Sequence, residues 1–166
     1  MDLKTAQTIA LQTMELLKPH CHRIAIAGSI RRLKPNDIKD IEIVAIPKPY
    51  DIGLFESGIA TIVNQWTKVK GNLEYGKCRY TQRILPQGVK LDLFFAETGN
   101  WGLIYAIRTG SADYSHKVLA SKWVAAGYHS KDGYLHQGHT KFATLEEIDL
   151  YQRIGLPYLD PQFRNV

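Results

Sequence analysis

The sequence predicts an α+β fold, with a strand-centred lobe over residues 1–97 followed by a mainly helical lobe over residues 98–166. Three observations predict this fold. Short runs of alternating apolar and polar residues cluster in the first part of the chain, and apolar residues recur at every third or fourth position in the second part. The composition of the 166 residues, 45% hydrophobic and 22% charged, is typical of a globular protein.

The first lobe is predicted to begin with a helix and to continue with two strands. Apolar spacings of three and four predict an amphipathic helix over residues 2–18. Residues 23–27 and 40–46 are predicted strands, and alternation in the second of them places Asp40 and Glu42 on one face.

The rest of the first lobe is predicted to contain a helix and a hairpin. Residues 52–69 carry apolar side chains at helical spacing. Two strand-like runs, 73–85 and 89–95, follow, and Pro86-Gln87-Gly88 between them is a good hairpin turn.

The second lobe is predicted to consist of helices separated by turns. Helices are expected over residues 100–107 and 112–126, with Thr109-Gly110-Ser111 between them. A turn-rich loop is expected over residues 130–140, and the capping box Thr144-Leu-Glu-Glu147 is expected to open the last helix.

Charge and cysteine content limit the function classes. The chain has no run of about 18 apolar residues and no leader-like start, and its two cysteines, Cys21 and Cys78, are too few for a disulfide framework. We therefore expect a reduced cytoplasmic protein, or one at a nucleoid or viral replication site, that is neither secreted nor membrane-bound. Lys and Arg number 21 against 16 Asp and Glu, and the resulting +5 charge favours a polyanionic partner.

Three acids on strand patterns, Asp40, Glu42 and Asp92, are the candidate metal ligands. Each one alone is expected to be a solvated acid on an exposed sheet face. Two acids at positions i and i+2 of a strand, however, lie about 6–7 Å apart on one face. That spacing suits carboxylates that bridge two Mg²⁺ ions about 3.5–4 Å apart, as phosphoryl transfer requires. The sequence does not show whether Asp92 lies on the neighbouring strand.

A candidate phosphate-binding turn precedes these acids. It reads Gly28-Ser29-Ile30-Arg31-Arg32 and directly follows a predicted strand. Glycine permits close approach of the backbone to a phosphate, serine offers a hydroxyl and an amide, and arginine offers a bidentate fork. Paired arginines are most often a solvated loop, so the turn gains meaning only from the acids that follow it.

Together, Gly28-Ser29-x-Arg31-Arg32 and Asp40-x-Glu42 resemble the nucleotidyltransferase signature of the family X DNA polymerases, the DNA polymerase beta group. Further segments that resemble family motifs are Lys90-Leu91-Asp92, Thr109-Gly110-Ser111, Gly127-Tyr128, Gly133-Tyr134-Leu135, Glu146-Glu147 and Leu156-Pro157-Tyr158. The resemblance runs in register from about residue 5 to residue 166.

The resemblance implies a nucleotidyltransferase palm, with a mixed sheet covered by helices on one face, and then a small, mainly helical thumb. It implies a minimal form, similar to the small viral members, without a lyase or helix-hairpin-helix domain. The implied activity is addition of nucleotides to a DNA 3′-hydroxyl with release of pyrophosphate, in gap filling or repair. The implied partners are a primer-template or gapped duplex and a nucleoside triphosphate, and the implied state is a monomer.

The resemblance also implies the residue roles. Asp40 and Glu42 would bind two Mg²⁺ ions, with Mn²⁺ as an alternative, and Asp92 would bind the catalytic ion. Ser29 and Arg32 would hold the β and γ phosphates. The full set of implied nucleotide-binding residues is Gly28, Ser29, Arg32, Arg108, Thr109, Gly110, Ser111, Tyr114 and Ser115, and the implied DNA-binding residues are Lys90 and Lys117.

Departures from the family pattern leave two alternatives open. Glu42 stands where the family has Asp, and Ile107-Arg108 replaces an aromatic pair next to the sugar. A misplacement of about 1 Å can cost on the order of 100-fold in rate, so activity is expected to be reduced. One alternative is another nucleotidyltransferase that acts on RNA, a protein or a small molecule. The other is a catalytically impaired palm–thumb protein that only binds DNA.

Basic residues along the predicted hairpin are either a solvated face or a track for duplex phosphates. They are Lys68, Lys70, Lys77, Arg79, Arg83 and Lys90. Trp66, Trp101 and Trp123 lie at helical apolar positions and are expected in the core.

Overall fold

The computed structural model describes residues 1–48, 58–71, 73 and 79–166. Its chain divides into two compact units, Met1–Phe95 and Ala96–Val166. The described residues form six α-helices, a mixed five-stranded sheet in the first unit and an antiparallel three-stranded sheet in the second. The predicted α+β class is confirmed.

The described helices of the first unit are α1 (Leu3–Leu17), α2 (Gly28–Arg31) and α3 (Ile59–Val63). Asp2 caps α1 because its side chain accepts a hydrogen bond from the Thr5 amide at 2.9 Å. The helix buries one stripe of small and branched residues, as the predicted amphipathic pattern requires.

The five strands of the first unit are β1 (Cys21–Ile26), β2 (Asp40–Pro47), β3 (Thr67–Lys70), β4 (Tyr80–Ile84) and β5 (Lys90–Phe95). Their order in the sheet is β1-β2-β5-β4-β3. Strands β2 and β5 are parallel, and the other neighbours are antiparallel. The central position of β2 and β5 places the acids on adjacent strands.

One face of this sheet carries the core of the first unit. Ile41, Ile43, Leu91 and Leu93 are fully buried in one cluster with residues of α1 and α3. Full burial of each such side chain contributes about 1.5–3 kcal/mol relative to exposure. Because side chains alternate along a strand, burial of these four directs Asp40, Glu42 and Asp92 to the opposite face.

The second unit contains helices and a small sheet. Its elements are α4 (Trp101–Thr109), a π-helical segment (Tyr114–Ala120), α5 (Ser121–Ala125), β6 (His129–Lys131), β7 (Tyr134–Gln137), β8 (Thr140–Phe142) and α6 (Glu147–Arg153). Its core includes Leu103, Leu119, Leu135, Leu150 and Tyr151. None of the helices in the described part of the chain combines the length and hydropathy needed to span a bilayer.

The predicted loop over residues 130–140 is wrong, because these residues contribute to the sheet β6-β7-β8. The strands are short and largely polar, and β6 is fully exposed, so they show no hydrophobic alternation. A signal was nevertheless present. Asp132 and Gly133 both adopt positive φ between β6 and β7, and an Asp-Gly pair is a strong hairpin signal.

The predicted helix over residues 52–69 is wrong at its end. Helix α3 ends at Val63, and Thr67–Lys70 is strand β3, paired with β4. The β-branched Thr67 and Val69 fit this edge strand, where tertiary pairing overrides the helical spacing. Part of the predicted helix, and most of residues 73–79 in the first predicted hairpin strand, lie outside the described residues.

The predicted capping box at Thr144 is also wrong. Helix α6 begins at Glu147, Glu146 is its N-cap, and the capping box joins Glu146 with Asp149. Thr144 is instead buried, and its Oγ1 accepts a hydrogen bond from the Leu103 amide at 3.1 Å.

Two local predictions are confirmed. The Pro86-Gln87-Gly88 turn closes the β4–β5 hairpin, with a 2.8 Å hydrogen bond from the Gly88 amide to the Leu85 carbonyl. Trp66, Trp101 and Trp123 are all buried.

Candidate functional site

The three candidate metal ligands, Asp40, Glu42 and Asp92, lie on two directly paired strands. In the parallel register of β2 and β5, Glu42 is the partner of Asp92 and Asp40 is the partner of Lys90. The Lys90 side chain is exposed, and its positive charge partly offsets the rise in the pKa of Asp40 that burial and Asp92 cause. The structure therefore answers the question left open by the sequence, since Asp92 does lie next to the other two acids.

The Asp92 carboxylate is held in place by two side chains of β4. Its Oδ1 accepts hydrogen bonds from the Tyr80 hydroxyl at 2.5 Å and from the Gln82 Nε2 at 2.8 Å, and only 8% of the residue is exposed. Sequence reasoning missed both partners. The hairpin turn carried the signal, because a register centred on residue 87 places Gln82 opposite Asp92.

The Glu42 carboxylate lies over the Gly28-Ser29 turn. It accepts a hydrogen bond from the Ser29 amide and faces the Arg32 guanidinium. Gly28 has φ +60°, and a Cβ at this position would overlap the Glu42 Oε2 atom. Glycine is therefore required here both by the left-handed backbone and by the close approach of the carboxylate.

Ser29 and Arg32, the predicted phosphate ligands, are neighbours within this turn. The Arg32 Nη2 donates a hydrogen bond to the Ser29 Oγ at 3.2 Å. One hydroxyl, one amide and one guanidinium thus converge at the end of β1. These are the donor types that bind phosphate oxygens.

Burial, followed by the charges of neighbouring groups, shifts the pKa values on this face. Burial and then the charge of Asp40 raise the pKa of Glu42 to about 7, against the opposing effect of Arg32. Burial and then the charge of Asp92 raise the pKa of Asp40. Burial lowers the pKa of Arg32, and the charge of Glu42 opposes this.

The donor set has the chemistry that Mg²⁺ prefers, namely hard carboxylate oxygens on adjacent strands. After burial, repulsion between the carboxylates raises the pKa values of Asp40 and Glu42, and a divalent cation would offset that repulsion. In the described part of the chain, however, no group of three or more His, Cys, Asp or Glu side chains is arranged to hold a metal ion. The residue types fit the ion, and the side chains would have to rearrange to surround it.

The second unit contains the predicted nucleotide-binding turn. Thr109 is the last residue of α4 and is fully buried, and the Gly110 amide donates to the Ala106 carbonyl at 3.1 Å. A Cβ on Gly110 would lie only 2.6 Å from the Tyr114 Cδ1, so packing rather than backbone angle requires glycine. Ser115 Oγ donates to the Ile107 carbonyl at 2.8 Å.

A buried polar cluster supports this turn. The Ser111 amide donates to the Arg164 carbonyl at 3.0 Å. Arg164 is fully buried, and its Nη1 donates to Glu147 Oε1 at 2.5 Å. The Tyr114 and Tyr151 hydroxyl groups are 2.9 Å apart. Sequence reasoning placed Tyr114 against a nucleotide, whereas the structure places its side chain in the core of the second unit, 2% exposed.

The remaining predicted ligands differ in exposure. Arg108 and Lys117 are exposed, and Lys117 pairs with Asp113 at 3.0 Å on the π-helical segment. Arg83 does not belong to an exposed track. It is 4% exposed and donates to Thr81 Oγ1 at 3.0 Å and to the Trp66 carbonyl at 3.3 Å.

The structure thus groups the predicted site residues in two sets. Gly28, Ser29, Arg32, Asp40, Glu42, Lys90 and Asp92 lie together within the first unit, and Arg108, Thr109, Gly110, Ser111, Tyr114, Ser115 and Lys117 lie together within the second. No known family model matches the chain, and no curated protein is significantly similar to it.

Proposed function

We propose that the protein is a nucleotidyltransferase that adds nucleotides to a DNA 3′-hydroxyl and releases pyrophosphate. The observation that carries the proposal is the arrangement of the first unit. Glu42 and Asp92 are partners on adjacent parallel strands, Asp40 lies beside them, and the Ser29-Arg32 donors adjoin Glu42. Phosphoryl transfer requires carboxylates for metal ions and donors for phosphate oxygens at one place.

The carboxylates would hold two Mg²⁺ ions, Asp40 and Glu42 binding both and Asp92 binding one. When bound, these ions supply the charge that activates the 3′-hydroxyl and neutralises the leaving pyrophosphate. Tyr80 and Gln82 orient Asp92 by fixing its Oδ1. The protein itself then contributes mainly position and charge.

The Ser29 and Arg32 side chains would bind the β and γ phosphates of the incoming nucleotide, with the exposed Lys90 beside the primer end. In the second unit, the Gly110-Ser111 backbone is the part of the predicted turn that a sugar or base would approach. Thr109 and Tyr114 would act indirectly, because their buried side chains hold the turn rather than face solvent.

Primer extension tests the proposal. The wild-type protein is incubated with a gapped duplex, with Mg²⁺ or Mn²⁺ and with dNTPs or rNTPs, and Asp92→Ala serves as the metal-ligand control. We expect incorporation that Asp92→Ala reduces by at least about 100-fold. Absence of incorporation under every condition would refute the proposal, and incorporation that survives Asp92→Ala would refute the role of Asp92.

A second function, DNA binding without catalysis, is favoured by one observation. The Glu42 carboxylate is directed to the Gly28 turn, and the described acids are not arranged around a metal position. Retention of gapped DNA without any incorporation would support this function. Incorporation only with an RNA, protein or small-molecule acceptor would instead indicate another nucleotidyltransferase.

A further inference from the structure

The Glu42 carboxylate fills the space that a phosphate would need at the turn. It lies so close to Gly28 that even a methyl group there would overlap its Oε2 and Cδ atoms. It also accepts the Ser29 amide hydrogen bond. A carboxylate that is ionised above about pH 7 therefore already lies among these donors, and it belongs to the chain itself.

The donors that hold this carboxylate are those that the proposed function gives to the triphosphate. The Arg32 guanidinium attracts Glu42, and the same guanidinium donates to Ser29 Oγ. A carboxylate and a phosphate oxygen compete for such amide and guanidinium donors. Glu42 and a triphosphate thus compete for the single Ser29 amide and for the Arg32 guanidinium.

Charge on the same face opposes any free anion that approaches. Asp40 and Asp92 both repel the Glu42 carboxylate, and the nearest attractive group is Arg32. A triphosphate without a cation would add negative charge to this face and would also have to displace Glu42. A divalent cation beside Asp40 and Asp92 would give the displaced carboxylate a new partner.

The length of the Glu42 side chain determines how far its carboxylate extends over the Gly28 turn. The Glu42 Cβ would lie 3.0 Å from a Cβ on Gly28, and the carboxylate extends from there across the glycine. An aspartate at position 42 is one methylene shorter, so its carboxylate would not extend as far across the turn.

We propose that Glu42 is a specificity-determining residue. Its carboxylate occupies the phosphate-binding turn and leaves it only when a triphosphate binds together with a divalent cation. This inference rests on the proposed function of the same site. It explains why the chain has Glu at a position that must alternate between the turn and the metal. The site would thereby exclude free phosphate anions.

The test measures binding of inorganic tripolyphosphate by calorimetry at about pH 8, above the pKa of Glu42 at about 7. One series contains EDTA and the other Mg²⁺. The variants are Glu42→Ala, which vacates the turn, and Glu42→Asp, which shortens the side chain. Asp40→Ala is the matched control, because it removes one negative charge from the same face without vacating the turn. Circular dichroism verifies that each variant is folded.

In EDTA we expect Glu42→Ala and Glu42→Asp to bind tripolyphosphate at least tenfold more tightly than the wild type, and Asp40→Ala less than threefold more tightly. In Mg²⁺ we expect the wild type to gain affinity and Glu42→Ala to gain less. Equal metal-free affinities of Glu42→Ala and Asp40→Ala would overturn the inference and leave the proposed function intact. Failure of every variant to bind with or without Mg²⁺ would overturn both.

Discussion

Folding alters the protonation of the Glu42 carboxyl group. Burial and the charge of Asp40 raise its pKa to about 7, well above the value of about 4.3 expected in an unfolded chain. Between these two pH values the folded state binds more protons than the unfolded state. The stability that protonation supplies is therefore complete below about pH 4 and is lost as the pH rises through 7.

We expect the free energy of unfolding of the metal-free protein to fall between pH 5 and pH 8, with Glu42 contributing on the order of 2 kcal/mol. Glu42→Gln should remove this contribution, because a neutral amide has no charge to bury. Urea denaturation in EDTA at several pH values measures it. The idea fails if wild type and Glu42→Gln lose stability in parallel.

Under the proposed function, Gln82 would position Asp92 through its hydrogen bond rather than bind a metal ion itself. Gln82→Met removes the 2.8 Å hydrogen bond to Asp92 Oδ1 and keeps most of the side-chain volume. We expect kcat to fall roughly tenfold with the KM for nucleotide unchanged, as is typical when a partner of a metal ligand is removed. Gln87→Met, in the exposed hairpin turn, is the matched control. A change of similar size in both variants would contradict this role.

At the scale of elements, the stability of the short helix α2, which follows β1, depends on glycine at position 28. Gly28→Ala would combine strain from φ +60° with displacement of the Glu42 carboxylate. Gly88→Ala is a matched control, because Gly88 has φ +78° and nothing within 4 Å of a Cβ. We expect Gly88→Ala to cost about 1–2 kcal/mol and Gly28→Ala about 1–2 kcal/mol more.

A double-mutant cycle isolates the contact with Glu42. In a Glu42→Ala background, most of the extra cost of Gly28→Ala over Gly88→Ala should disappear, since no carboxylate remains to be displaced and only the Cβ at position 42, 3.0 Å away, is left. Urea denaturation provides the measurement. An undiminished difference in that background would show that the backbone, and not Glu42, makes Gly28 necessary.

The elements that the sequence predicts well are those with local signals. The α1 periodicity, the β2 alternation and the Pro86-Gln87-Gly88 turn each determine a structure within a few residues. Strand β3 and the sheet β6-β7-β8 were missed because their residues are largely exposed and polar. Exposed strands carry no hydrophobic alternation in the sequence, so they are recognised only by their hydrogen-bonded pairing in the folded structure.

The site was predictable in its residue types and not in its contacts. That Asp92 pairs with Glu42 follows from the parallel register of β2 and β5, which no local pattern specifies. That the Glu42 carboxylate turns toward Ser29 follows from the balance between Arg32 and the neighbouring acids. Such a balance depends on distances that only the folded chain provides.

At the scale of the whole molecule, the +5 charge would give the proposed DNA binding a modest attraction. If the exposed Lys90 and Lys117 each contact one phosphate, replacing either by Gln should reduce the slope of log K against log salt by about 0.9. Lys18 pairs with Glu15 at 3.5 Å. Lys18→Gln is the control variant and should leave the slope unchanged. Gapped-duplex binding titrated between low and moderate salt measures the slopes. Equal slopes for all proteins would exclude both contacts.

The parallel pairing of β2 with β5 also has a consequence for how the protein folds. Glu42 and Asp92 are about 50 residues apart along the chain, and β3 and β4 lie between them in sequence. Contacts between distant residues require loop closure before they yield any stabilisation, so they form slowly. The Gly28 turn and the first two acids are close in sequence and can assemble early. A partly folded chain would then present the Gly28 turn and two acids, and only the last stage of sheet formation would add the third.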